Sequence, residues 1–313
     1  MSLHNPACFS AHIGSWLMEH RFLQSAVGAI KSGLWKAQEP TKAAAVTIHA
    51  GKIVIDPTSS ADFPKVLYSV TNDGLAVVSI EGPMMKMDSK FGGANTMRAR
   101  RALRSLAADP DVIGAMMYFD TPGGHVAGTL ELANEITATR KFKTVHGHAD
   151  DLIASAGMWV GSACERLSIN AIGEAGSIGV VGVIEDWSKA YEAAGVTVHI
   201  LSTGAFKGAF TPGTTVTPEQ LAYLQKTVDD INQFFLDAVQ KGRGINAKKL
   251  AEIADGRVFI ASEAKALGLV DEVESFDQSM AILKKSATQK QAQIKQSARA
   301  KNAVARLELE AIE

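Results

Sequence analysis

From about Val66 the chain settles into short apolar runs that alternate with amphipathic stretches. Leu75–Glu81 (LAVVSIE) is a β-branched run that stops at Gly82-Pro83. A helix is expected over 95–108, with Leu103 and Leu106 on its apolar face. A second buried strand is expected over 112–119, closed by Asp120-Thr121-Pro122-Gly123-Gly124. The pattern then predicts a helix over 126–139, a strand over 144–148, a short helix over 155–165 and a strand over 167–170. Strands over 178–184 and 197–202 flank a helix over 186–194. Near-continuous apolar strands separated by helices describe an α/β fold, with a mainly parallel sheet covered by helices.

Downstream, Thr217-Pro218-Glu219-Gln220 has the form of a helix start. Thr217 suits the N-cap, Pro218 the first helical position and Gln220 the reciprocal side of a capping box. This helix is expected to run to about Gln240 and end before Gly242. Short helices over 247–253 and 262–267 bracket a strand over 257–260. Residues 285–313 lack proline and aromatic residues and read as a solvated helix or a disordered tail. The expected organisation is an N-terminal extension (1–65), a main domain (66–275) and a polar tail (276–313). Within the extension, an amphipathic stretch from Trp16 to Leu34 suggests a helix.

The chain has 313 residues, 46% hydrophobic, so a large core is available. A net charge of -1 gives no electrostatic reason to expect nucleic acid or an anionic membrane as partner. Cys8 and Cys164 form no framework, and a reducing compartment is the expectation. The histidines include no HExxH, and His146 and His148 lack a third ligand in sequence, so no metal or other cofactor is expected. No basic, apolar leader and no run of the ~20 apolar residues that span a bilayer is visible. The expectation is a soluble, cytoplasmic protein without a membrane anchor.

Three loops carry the chemistry. In Thr121-Pro122-Gly123-Gly124, Pro122 stiffens the turn and the glycines let backbone amides face a ligand. The same residues also suit an ordinary strand-to-helix turn. In Ala154-Ser155-Ala156-Gly157 a serine opens an apolar helix, where free amides and the helix dipole favour an alkoxide or oxyanion. Taken alone, Ser155 is better read as an N-cap. In Gly204-Ala205-Phe206-Lys207-Gly208 a lysine stands among small and aromatic residues. An amine stripped of water loses its proton more easily and then acts as a base toward a serine hydroxyl. Taken alone, Lys207 is better read as a solvated lysine of a surface loop. Ser177, in Gly176-Ser177-Ile178-Gly179, is placed to orient such an amine.

The ordered set TPGG, ASAG, GSIG and GAFK resembles the signal peptide peptidase A family of Ser–Lys peptidases. Lys207 follows Ser155 by 52 residues and Ser177 follows it by 22, as in that family. Segments like the family's Asp255-Gly256-Arg257-Val258-Phe259 and Ala266-Leu267-Gly268-Leu269-Val270-Asp271 follow in order. The resemblance covers about 70–275. It leans toward the phage capsid-assembly (head maturation) branch, through Asp150-Asp151 and the absence of an anchor. It implies a ClpP/crotonase-like fold of repeated β-β-α units, with Ser155 as nucleophile and Lys207 as general base. Gly124 and Ala156 would form the oxyanion hole, supported by Pro122 and Gly123, and Ser177 would aim the lysine. It further implies homo-oligomers and capsid, portal or scaffold proteins as substrates, in the host cytoplasm or procapsid interior.

Competing expectations are a signal-peptide-degrading peptidase, a non-catalytic scaffolding protein on the same fold, and a crotonase-type acyl-CoA enzyme. A Ser–His–Asp site on this fold would place its histidine near Val180, where none stands. His125 and His199 are the remaining candidates on either side.

Overall fold

The computed structural model describes residues 16–18, 50–60, 64–88 and 92–310. The elements run β1 (Trp16–Met18), β2 (Ala50–Ile55), β3 (Val66–Thr71), β4 (Leu75–Glu81), β5 (Met84–Met85), β6 (Ala94–Asn95) and α1 (Thr96–Ala108). Next come β7 (Gly114–Thr121), β8 (Gly123–His125), α2 (Thr129–Thr139), β9 (Thr144–Ala154), α3 (Ala156–Gly161), β10 (Arg166–Ile169) and β11 (Glu174–Gly176). The chain continues through α4 (Ser188–Ala193), α5 (Pro218–Arg243), α6 (Ala247–Ile253), β12 (Val258–Ile260), α7 (Ala261–Leu267), β13 (Glu272–Val273) and α8 (Phe276–Glu310).

The main sheet has the order β12-β11-β9-β7-β4-β3-β2, with β10 and β13 continuing from the first half of β9. Strands β4, β7, β9, β10 and β11 pair in parallel with one another, and antiparallel pairs stand at the β2-β3-β4 and β11-β12 edges. This is the expected α/β architecture. Strand β7 is almost wholly buried because both faces are covered. One face packs on the core that includes Leu103 and Leu106 of α1, Leu132 and Ile136 of α2, and Trp159 of α3. On the other face Leu75, Val77, Met116 and Tyr118 pack on Leu283 and Ala287 of α8. A second, small sheet of order β1-β8-β5-β6 lies at the end of β7.

Local chemistry explains the helix boundaries. Asn95 caps α1 by accepting from the Arg98 amide at 2.9 Å. Thr217 and Gln220 form the expected capping box on α5, with Pro218 at the first position. Replacing Thr217 with alanine should cost about 1 kcal/mol of stability, read from urea denaturation; no loss would mean that α5 is held by packing alone. Helix α5 runs past the expected stop and ends at Gly244, which takes a left-handed φ of 66°. Gly242 lies inside the helix, where it passes the Ser162 carbonyl so closely that a Cβ would come within 2.0 Å of the oxygen.

Three expectations fail. Trp16–Met18 is a strand rather than helix, and the remainder of that stretch lies outside the described residues. No strand forms over 178–184 or 197–202. At Gly176 and Ser177 the backbone turns out of the sheet with φ of 135° and 50°. Beyond it Val183, Val196, Ile200 and Leu201 are exposed, and Leu201 is 99% so. Their β-type composition joins no strand among the described residues, and a strand without a ladder has little to stabilise it.

Beneath α8, His146 is 4% exposed and its Nδ1 has no hydrogen-bond partner among the described residues. Burial, helped by Arg166, holds its pKa at about 4 against 6.5, while Glu274 and Asp271 pull the other way and Lys290 adds to the lowering. A neutral buried imidazole supports the fold fully above pH 6.5 and withdraws that support as pH falls toward 4, because the unfolded chain then binds the extra proton. The loss should be on the order of 3 kcal/mol over that window. Urea denaturation across pH 7 to 4 should show a steeper decline for the natural chain than for His146→Gln; parallel curves would reject it.

Candidate active site

The long strand β9 delivers Ser155. Opposite β7 its register runs Phe119↔Ala149 and then Thr121↔Ile153, so β9 carries extra residues around Asp150–Asp151. The bulge is pinned through Asp150, which accepts from the Tyr118 hydroxyl at 2.7 Å and from the Asn170 side chain. Burial and the Asp150 carboxylate together keep the Tyr118 phenol protonated well above the usual tyrosine range. Burial and then Asp151, Asp150 and Glu81 raise the neighbouring Asp120 carboxyl. Asp150 is the residue whose role here sequence reasoning missed; its visible sign was an acidic pair inside an otherwise apolar strand.

Ser155 is the single residue between β9 and α3. It has φ 52° and ψ −115°, is 1% exposed, and its side chain makes no capping bond. The N-cap alternative therefore has no hydrogen bond behind it. A positive φ is strained for a residue with a Cβ and persists where surrounding structure imposes it. The Ser155 amide donates to the Gly176 carbonyl at 2.8 Å, and the Ser177 amide donates to the Arg257 carbonyl at 2.6 Å. These two bonds place Ser155 beside the Gly176–Ser177 turn. They also explain the Asp255–Phe259 segment, whose main chain holds Ser177 in a position only 5% exposed.

The glycine turn meets the same place. Gly157 sits against Thr121, whose Cγ2 would lie 2.5 Å from an added Cβ. Thr121 Oγ1 donates to the Gly82 carbonyl at 2.7 Å and accepts from the Gly123 amide at 3.2 Å. Pro122 lies between β7 and β8, Gly123 has φ 94°, and Gly124 pairs with Met84 of β5 so closely that a Cβ would come within 2.0 Å of the Met84 carbonyl oxygen. Ser155, Ala156, Ser177 and the Thr121–Gly124 turn are thus gathered at one end of the sheet.

Lys207 stands apart from this group. Its loop is bonded at the turn by the Lys207 amide to the Gly204 carbonyl at 3.0 Å and is braced by Phe206 against Tyr223 of α5, with ring centroids 5.3 Å apart. The side chain is exposed, lines an open depression with Leu201, Ser202 and Thr203, and makes no hydrogen bond or ion pair among the described residues. The alternative bases and nucleophiles fare differently. His199 is exposed, outside any strand. His148 is buried and shares a hydrogen bond of 2.9 Å with Ser168 Oγ under α8. Cys164 is buried and its thiol is pushed up to about 12 by burial, which leaves no thiolate. Among the described residues no His/Cys/Asp/Glu group is arranged to hold a metal, and no helix is long and apolar enough to cross a membrane.

The sequence profile of Peptidase family S49 matches residues 137–290, a span that includes Ser155, Ser177 and Lys207. Capsid assembly protease C of Escherichia phage lambda is 29% identical over 223 residues, covering 69% of this chain and 50% of that protein. The putative signal peptide peptidase SppA of Enterococcus faecium is 27% identical over 184 residues, covering 58% of this chain and 54% of that protein. The head-tail preconnector protein GP5 of Enterobacteria phage P21 is 25% identical over 227 residues, covering 70% of this chain and 44% of that protein. The chain thus spans about half the length of these relatives. With its α/β fold and its ordered motifs, the chain is similar over residues 137–290 to peptidase family S49, and its relatives include both phage capsid proteins and a putative signal peptide peptidase.

Proposed function

We propose that this chain is a serine endopeptidase with Ser155 as nucleophile and Lys207 as general base, acting on phage capsid, portal or scaffold proteins. The observation that carries the nucleophile is the strained, buried backbone of Ser155 at a strand-to-helix junction, with no capping hydrogen bond on its hydroxyl. Ser155 Oγ attacks the scissile carbonyl carbon and its proton passes to Lys207 Nζ. The Gly124 and Ala156 amides hold the oxyanion, and Ser177 aims the lysine. The lysine returns the proton to the leaving amine, and water then hydrolyses the acyl ester by the same route.

An ammonium in open water is no base, so the lysine must be dried before it can act. The stretch from the Ser177 turn through α5, an arm over residues 178–243 that carries Lys207, also exposes Val183, Trp187, Leu201, Phe206, Tyr223 and Phe234. Exposed large apolar side chains of this kind are what a protein covers by association. We therefore place closure of the dyad in a homo-oligomer, in which a neighbouring copy covers the arm. The phage role is supported by relatives named for capsid assembly and head-tail connection. The signal-peptide role is the second reading, supported by the SppA relative.

Two inactive variants, Ser155→Ala and Lys207→Ala, test the dyad. Mixed, unfolded and refolded together, they should recover a fraction of natural turnover if the lysine comes from a neighbour. No recovery would mean that the loop closes within one chain. Near-normal turnover by Lys207→Ala alone would reject the base assignment. Co-expression with capsid and scaffold proteins, followed by mass spectrometry of the fragments, separates the phage role from signal-peptide turnover.

A further inference from the structure

Strand β8 has two edges. One pairs in parallel with β5 through Met84↔Gly124. The other pairs antiparallel with β1, in the register Trp16↔His125, Leu17↔Gly124 and Met18↔Gly123. β1 is the outermost strand of the small sheet, so without it the Gly123–His125 edge would be bare. A bare edge next to a nucleophile is where an extended polypeptide adds as a further strand, held by main-chain hydrogen bonds. α3, headed by Ser155, packs against β8. The Met18 end of β1 lies toward Gly123, and the turn from Gly123 back to Thr121 leads to the start of α3.

We propose that residues 16–18 occupy the strand position that a substrate polypeptide takes along β8, so that the N-terminal segment of this chain is a built-in competitive inhibitor of its own site. The proposal rests on the peptidase function proposed above. It follows from juxtaposition: the same Gly124 that we assign to the oxyanion hole has Leu17 as its cross-strand partner. A three-residue strand makes few bonds, so its hold comes from being tethered. A tethered ligand acts at an effective concentration on the order of millimolar, and one whose own dissociation constant is about a tenth of that raises the apparent KM for an outside peptide about tenfold. It leaves kcat alone, because saturating substrate displaces it.

The test is the full-length Trp16→Pro/Leu17→Pro double variant beside the natural chain. Successive amides of a strand point to opposite edges, so one of the two adjacent prolines must remove a donor facing β8. Three measurements go together: hydrogen exchange at residues 123–125, KM and kcat on fluorescein-labelled casein, and acylation of Ser155 by a serine-reactive probe. The expected result is faster exchange at 123–125, a KM about tenfold lower at the same kcat, and competitive inhibition of the variant by a synthetic peptide of residues 14–20. Unchanged exchange overturns the proposal, because the pairing would then be absent. Faster exchange with an unchanged KM overturns it too, while acylated Ser155 and casein turnover keep the peptidase function standing. Absence of both acylation and turnover in both proteins removes the peptidase function, and the proposal with it.

Discussion

Ser155→Ala is expected to lower peptide hydrolysis by at least ~10³-fold, since removing a serine nucleophile leaves only binding and oxyanion stabilisation. The fold should survive the change. The hydroxyl caps no helix, and alanine meets the same backbone strain that serine does. Ser155→Gly sharpens the test. At φ 52°, ψ −115° glycine has no Cβ to clash. Relief of the 1–3 kcal/mol typical of such strain outweighs glycine's extra unfolded-state entropy of roughly 0.5–1 kcal/mol. Ser155→Gly should therefore be inactive yet more stable by about 1 kcal/mol. Steady-state hydrolysis and urea denaturation of the three proteins read both halves. Residual turnover in both variants would move the nucleophile elsewhere, and a destabilised glycine variant would show that the backbone is not strained. Stability given up at one residue for reactivity is the trade expected of a catalytic position.

Trp159→Ala is expected to cost about 3–5 kcal/mol of stability, as for other large aromatic side chains removed from a core. Trp159 is 1% exposed and stacks on Phe235 of α5, with centroids 5.1 Å apart and planes 9° from parallel. The pair joins the helix that begins at Ser155 to the helix whose Tyr223 braces the Lys207 loop. The lesion should therefore reach both residues of the proposed dyad, and activity should fall at denaturant concentrations where the natural chain is still folded. Trp159→Phe should be far milder. It keeps most of the apolar volume and discards an indole N–H that has no partner among the described residues. If the alanine variant denatures with the natural midpoint, the stack carries none of the stability assigned to it.

Much of the fold was legible because its signals are local. Leu75–Glu81 is a strand with the boundaries its apolar run suggests, and Ala247–Ile253 is a helix as patterned. The Thr217 capping box appears with both of its hydrogen bonds. What was not legible depends on distant partners. Residues 178–184 and 197–202 have the composition of strands but form none among the described residues. Trp16–Met18 was patterned as helix, yet it pairs with β8, more than one hundred residues away. No periodicity in a short segment reports such a partner. Strand β9 was expected to end at His148 but continues to Ala154, because its bulge lets the second half pair with β11.

The candidate site divides in the same way. Residue type made Ser155, Ser177, Lys207 and the Pro122–Gly124 turn candidates, and it was the resemblance of their order and spacing to a known family that singled them out. Their placement was decided by the tertiary structure. The strain at Ser155, the hold of the Arg257 carbonyl on Ser177, the pinning of the β9 bulge by Asp150 and the covering of β8 by Trp16–Met18 all come from contacts between segments far apart in the chain. The exposure of Lys207 belongs with them: desolvation is a property of surroundings, and an amine acquires its surroundings only from what packs around it.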